Sequence, residues 1–181
     1  MRKTTVEGAA AAVLPRERRD RVDAVTFQRE AMRHERLMYH ISYSMLQNNE
    51  DCADAVQEAL TRAWQKRESL RREDRFRQWL MKILVNTCKD LLRRRQKVRF
   101  VPLEDETVAL EPPSSPLPLQ EAIDMLKPEL RVVLVLHYME GYSVADMADV
   151  LSLPTDTVKS RMKTAREKLS TLLHEEWEGQ Q

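Results

Sequence analysis

The densest chemistry in this sequence lies between Thr61 and Arg99, where fourteen Lys/Arg meet four Asp/Glu in a chain whose net charge is only +1. Within that stretch Lys82, Asn86, Lys89 and Arg93 recur at spacings of four, three and four, which puts them on one face of a helix. Arg94 and Arg95 extend its positive end. Such a strip can track a nucleic-acid backbone, with Asn86 able to hydrogen-bond a base. Ahead of it, Arg67 to Arg77 is too polar for a core and carries Arg71, Arg72 and Arg75 before the aromatics Phe76 and Trp79. A basic loop beside aromatics suits an unstacked base, which needs both phosphate neutralisation and an enclosing wall. Phe76 and Trp79 also fall on the apolar stripe of the following helix, which assigns them to the core.

A second constellation has the opposite sign. Asp54, Gln57, Glu58 and Thr61 stand at i, i+3, i+4 and i+7, opposite an apolar stripe of Ala53, Val56, Leu60 and Ala63. Carboxylates and an amide without interleaved lysines suit a cationic, Arg-bearing partner. A merely solvated helix face would have the same spacing. A third set closes the chain: Thr157, Lys159, Ser160, Lys163, Thr164 and Arg166 lie outside a stripe of Val158, Met162, Ala165 and Leu169.

Other chemistries find no residues to carry them. Cys52 and Cys88 make no disulfide framework and have no further cysteine at metal-ligand spacing. The histidines at 34, 40, 137 and 174 form no i, i+4 ligand pair. With three Gly there is no glycine-rich phosphate loop, and no nucleophile stands beside a base. The expectation is a non-enzyme without metal or cofactor. The run Ala9 to Leu14 is too short for a secretory signal core, and no stretch is long and apolar enough to span a bilayer, so a cytoplasmic protein without membrane insertion is expected.

These side chains need helices to position them. Hydrophobic residues make up 42% of the chain and charged residues 33%, a balance that favours a folded, helix-rich protein over a disordered one. No Pro or Gly interrupts the chain between Ala24 and Gln96, which argues against a sheet with tight turns. The pattern breaks near Gln47–Glu50 and Glu68–Asp74. Four prolines (112, 113, 116 and 118) stand in an acidic stretch and forbid a helix there. The expected architecture is all-α, with a flexible tail at 1–22, a helical domain at 23–97, an acidic, proline-rich linker at 98–118 and a second helical domain at 119–178.

In that second domain, Leu130, Val133, Leu134 and His137 predict an amphipathic helix from Pro128 to Met139, with Pro128 in its first turn. Glu140-Gly141 ends it. Ser143 to Asp146 fits a capping box, with Asp146 reaching back, and opens a short helix burying Val144, Met147, Val150 and Leu151. Leu153-Pro154 breaks the chain, and Thr155 or Asp156 is placed to cap the last helix. A short helix, a tight turn and a longer helix with a polar-basic face make a helix-turn-helix, whose second helix fits a major groove about 12 Å wide. A three-helix bundle with solvated charges has the same pattern.

Together the segments resemble the extracytoplasmic-function branch of the bacterial sigma-70 family, from about Thr26 to Glu175. Region 2 is matched by Asp54-Ala55-Val56-Gln57-Glu58-Ala59-Leu60-Thr61-Arg62-Ala63-Trp64 and by the run from Phe76 through Asn86 to Arg93. Region 4 is matched by Ser143 to Met147, by Leu153-Pro154, by Thr157-Val158-Lys159-Ser160-Arg161-Met162 and by Ala165-Arg166. The resemblance implies a region 2 bundle and a region 4 helix-turn-helix. It also implies an RNA polymerase sigma factor that binds core polymerase and directs promoter-specific initiation in transcription regulation and stress response.

The resemblance further implies roles. Asp54, Gln57, Glu58 and Thr61 dock on the coiled coil of the polymerase's largest subunit. Arg71, Arg72 and Arg75, in the loop from about Glu68, hold a flipped base of the minus-ten element. Lys82, Asn86, Lys89 and Arg93 lie on that element as it opens. Thr155, Thr157, Lys159, Ser160, Arg161, Lys163 and Arg166 belong to the helix that reads the minus-thirty-five duplex. Thr164 stands where family members usually carry a basic residue, and Asp156 where a small one is common. An anti-sigma factor, often membrane-bound, is implied as a partner, and the linker is implied to thread toward the polymerase cleft. Two rivals follow from the residues alone: a stand-alone helix-turn-helix transcriptional regulator, and an RNA-binding or anti-termination protein using the Arg75–Arg99 strip.

Overall fold

The computed structural model describes residues 22–70, 72–98 and 119–174, and these form helices and turns without a strand. The expected tail and linker lie outside the described residues but for their margins, as does Arg71.

The first unit holds α1 (Ala24–Arg33), α2 (Glu35–Leu46), α3 (Asn49–Gln65) and α4 (Phe76–Val98). Asp23 starts α1, its carboxylate accepting the Thr26 amide at 2.7 Å, and the helix buries Phe27 and Ala31. The amide of His34 is shared between the carbonyls of Glu30 and Ala31, so α1 ends there and α2 follows directly. Helix α2 stops at Gln47, whose left-handed φ of 49° turns the chain. Asn48 then caps α3 through the Asp51 amide at 2.9 Å, and Glu50 and Asp51 complement the positive end of that helix. Two 3-10 turns, Arg67–Ser69 and Glu73–Arg75, flank Leu70, which plugs the core from the loop.

Helix α4 forms the spine of this unit. Phe76, Leu80, Leu84 and Thr87 are buried as their spacing predicts, and Trp79, Ile83 and Leu91 are half-buried against the core. Burial also extends to Met81, Val85 and Cys88, because α4 has α2 and α3 on one side and a helix of the second unit on the other. Phe76 meets Phe27 edge-on at 5.6 Å and Trp79 at 5.7 Å, so both aromatics of α4 serve the core.

The second unit comprises α5 (Leu119–Asp124), α6 (Pro128–Leu134), a π-helical turn (Val135–Met139), α7 (Val144–Leu151) and α8 (Thr155–His174). The expected helix from Pro128 to Met139 is present, but its last five residues widen into the π-turn, closed by the Glu140 amide on the Val135 carbonyl at 3.1 Å. It is not amphipathic: every residue from Leu130 to Leu136 is buried, Arg131 included. The reason is that α6 lies between α8 of its own unit and α2 of the first. Gly141 adopts φ +68° where the chain leaves the π-turn, a conformation that favours glycine.

The capping box opens α7, with Ser143 Oγ accepting the Asp146 amide at 3.1 Å. Asp146 takes the Ser143 hydroxyl at 2.6 Å rather than reaching a backbone amide. Helix α8 begins at Thr155, one residue earlier than a Thr155 cap requires, and the Pro154 carbonyl accepts the Val158 amide.

The two units pack directly on one another, α4 against α7 and α2 against α6. Their apolar residues merge into one cluster running from Val22 to Ala165.

Candidate nucleic-acid interface

The carboxylate stripe lies on α3. Asp54, Gln57, Glu58 and Thr61 are all exposed, while Ala55, Ala59 and Ala63 are fully buried beneath them. Ala53, expected on the apolar stripe, is exposed instead, and Val56 and Leu60 are half-buried. Glu58 accepts from Arg62 at 2.7 Å, and Arg62 also reaches Asp90 on α4 at 3.0 Å. These two carboxylates hold the guanidinium above its ordinary range and tie the stripe to α4. The Thr61 hydroxyl donates to the Gln57 carbonyl at 2.9 Å, which leaves Asp54 and Gln57 as the side chains aimed outward.

In the basic loop, Arg72 chelates Asp74 through two bonds of 3.0 and 2.6 Å, and this pairing lowers the Asp74 carboxyl. Arg75 is exposed beside it. Arg67 instead stacks on Trp64, 4.3 Å from the ring centroid. The loop therefore presents cations already neutralised in part by its own acids.

The strip on α4 is divided. Asn86 and Arg93 are exposed, and Arg93 pairs with Asp90 at 3.3 Å. Lys82 and Lys89 face the second unit: Lys82 Nζ lies 2.8 Å from Asp149, and Lys89 Nζ donates to the Leu151 carbonyl at 2.7 Å. Burial, with the nearby Arg161 and Arg93, pulls the Lys89 ammonium below its ordinary pKa. Arg95, at the far end, pairs with Asp51 of α3.

On α8, Lys159, Ser160, Lys163 and Arg166 are exposed, whereas Thr157, Arg161 and Thr164 are half-buried. Lys159 has Asp156 at 3.5 Å and Lys163 has Glu167 at 3.7 Å, each one turn away. Arg166 borders an apolar groove of about 810 Å³ between α5, the π-turn and α8, lined by Leu119, Ile123, Tyr138, Met139, Leu169 and Leu173. Sequence spacing did not single out this groove, since its walls come from three separated elements.

Several polar residues at the seam between the units also escaped the sequence reading. Arg131 donates to the Ser44 carbonyl at 2.5 Å and to the Asp124 carbonyl at 2.7 Å. Gln47 donates to the same Asp124 carbonyl at 2.7 Å. Arg77 donates to the Glu140 carbonyl at 2.8 Å, its guanidinium 4.5 Å over the Tyr142 ring, and the Glu140 carboxylate lies 3.0 Å from His40. The signal that could have found them is faint: an Arg inside an otherwise apolar helical run.

Comparison with known proteins gives this geometry its context. The family model for Sigma-70 region 2 matches residues 31–98, and that for Sigma-70, region 4 matches residues 117–169. The chain is 34% identical over 157 residues to the ECF RNA polymerase sigma factor SigM of Mycobacterium tuberculosis, covering 83% of this chain and 79% of the relative. It is 30% identical over 137 residues to the RNA polymerase sigma factor SigV of Bacillus subtilis, covering 73% and 81%. Among solved structures, the sigma factor RpoE of Bartonella quintana, in complex with the anti-sigma factor NepR, superposes with a TM-score of 0.65 at 27% identity, over 82% of this chain and 96% of that one. CnrH, in complex with the cytosolic domain of CnrY, does so with a TM-score of 0.62 at 27% identity, over 85% and 91%. With regions 2 and 4 matched in order, on the helices that carry the carboxylate stripe, the basic strip and the helix-turn-helix, the chain belongs to the extracytoplasmic-function branch of the sigma-70 family of RNA polymerase sigma factors.

Proposed function

We propose that this sigma factor divides initiation between its two units. The first docks on core polymerase through Asp54, Gln57, Glu58 and Thr61 and captures the melted minus-ten strand with Arg72, Arg75, Lys82, Asn86, Lys89 and Arg93. Arg71 joins that set by its place in the sequence. The second reads the minus-thirty-five duplex with Thr155, Thr157, Lys159, Ser160, Arg161, Lys163 and Arg166. The observation that carries the reading is the pairing of an exposed carboxylate stripe on α3 with a basic strip on the adjoining α4, ahead of a helix-turn-helix whose second helix is basic outside. Opening DNA without ATP draws on flipped-base and phosphate contacts, each on the order of a few kcal/mol.

The chain acts in the cytoplasm as a regulatory subunit, with no catalysis of its own. No helix among the described residues is long and apolar enough to cross a membrane. Its partners are core polymerase, promoter DNA and an anti-sigma factor, the last supported by the sigma factor RpoE of Bartonella quintana, which is seen in complex with the anti-sigma factor NepR. The groove lined by Leu119, Tyr138 and Met139, all more than half exposed, offers that partner an apolar seat.

The test is reconstitution. The chain, core RNA polymerase and a pool of promoter fragments should yield specific transcripts, and neutralising Asp54 and Glu58 should abolish them. Failure of promoter-specific initiation with competent core enzyme would overturn the reading.

A further inference from the structure

Arg36 and His40 stand one turn apart on α2, so they share a face of that helix. Arg33 and His34 join them from the corner where α1 ends, and Arg77 from the first turn of α4. These five side chains line a cleft of about 600 Å³ that the end of the π-turn, Met139 and Glu140, closes on its remaining side. Sites that hold small organic ligands have volumes of about 300–1,000 Å³.

The charge of this cleft is unbalanced. Its lining sets three guanidiniums against one carboxylate, Glu140, which lies 3.0 Å from His40 and 3.9 Å from Arg77. A second acid, Glu30, reaches Arg33 at 3.2 Å from outside the lining. Arg36 is exposed and makes no hydrogen bond or ion pair among the described residues. Arg77 donates to the Glu140 carbonyl at 2.8 Å, which occupies one of the five N–H groups that a guanidinium carries. His34 registers the positive excess: burial and then Arg77 outweigh Glu30 and hold its imidazole below the ordinary pKa.

An anion seated here relieves that excess. Phosphate is the best match, because the planar guanidinium fork meets two of its oxygens at once. The cleft is far larger than one phosphate fills, and Leu37 and Met139 add an apolar margin that an inorganic ion would leave uncovered. We propose that the cleft binds a small organic diphosphate, of nucleoside diphosphate size, with its phosphates on Arg33, Arg36 and Arg77 and its organic part against Leu37 and Met139. None of these residues belongs to the surfaces assigned above to polymerase or DNA, so the site is additional to initiation and does not depend on it.

The experiment titrates ADP and pyrophosphate separately into the full chain, without divalent cations, by isothermal titration calorimetry. ADP should saturate one site and bind more tightly than pyrophosphate. R36A should weaken ADP on the order of tenfold, as loss of a hydrogen bond between charged groups predicts. Arg36 is exposed, so this variant keeps the core intact. K168A removes the same charge from an exposed position outside the cleft and should change affinity less than about twofold. In proton NMR, saturating ADP should raise the His34 pKa, because an anion beside Arg77 favours the imidazolium. Absence of saturable ADP binding overturns the proposal, and so does an equal loss in R36A and K168A, which marks attraction by net charge alone. Pyrophosphate binding as tightly as ADP overturns the organic assignment. A single-stranded minus-ten oligonucleotide that loses as much affinity in R36A as ADP does would make the cleft part of the DNA surface, and overturns it as well.

Discussion

His34 occupies the corner between α1 and α2, stacked on Phe76 with ring centroids 6.3 Å apart. Burial, and then the nearby Arg77, holds its pKa below the ordinary imidazole value. The unfolded chain therefore takes up the proton first. Stability contributed by neutral His34 is complete above about pH 6.5 and is lost as pH falls from there toward the depressed folded value. His34→Gln should flatten the fall in Tm between pH 7.5 and 5.5 relative to wild type, measured by circular dichroism. Glu58 is a second residue whose role depends on its neighbours. Arg62 bridges it to Asp90, so Arg62→Ala should both release the carboxylate and loosen α3 from α4. Core-polymerase affinity should change less than for Asp54→Ala, which removes an exposed carboxylate outright; competition binding against labelled wild type measures both.

At the scale of elements, α7 depends on its start. Ser143 accepts the Asp146 amide and donates to its carboxylate, so Ser143→Ala should cost about 1 kcal/mol of stability, read in urea unfolding. Helix α8, proposed above to read the minus-thirty-five duplex, makes a different prediction. Lys159 and Lys163 are each shadowed by an acid one turn away. Replacing Lys159 by Ala should reduce the salt dependence of minus-thirty-five duplex binding by about one counterion, measured between 50 and 200 mM salt at a roughly constant sequence preference. Ser160→Ala should instead alter preference among sequences with little change in that slope.

At the scale of the whole molecule, the merged apolar cluster makes the two units thermodynamically dependent. Calorimetry of the full chain should show one cooperative transition, with equal calorimetric and van't Hoff enthalpies. Weakening the seam at Arg131 should split it into two. A chain whose units unfolded separately in wild type would show that the seam contributes little in solution.

Much of the local structure was legible in the sequence because it is set by residues within a few positions of one another. Helical spacing placed the stripe on α3, the strip on α4 and the helix-turn-helix, and Asp23, Asn48 and Ser143 cap helices as their side-chain chemistry dictates. Resemblance to a known family supplied the polymerase. Spacing also misjudged α6, which reads as amphipathic and is buried all round, because the covering surface comes from α2, some ninety residues earlier. The same cause hid the pairing of Lys82 and Lys89 with α7. Periodicity states which side chains share a face, not what that face meets. Only the tertiary structure could decide that, in a strip reading as open to nucleic acid, Lys82 and Lys89 are engaged by the molecule's own second unit while Asn86 and Arg93 stay exposed.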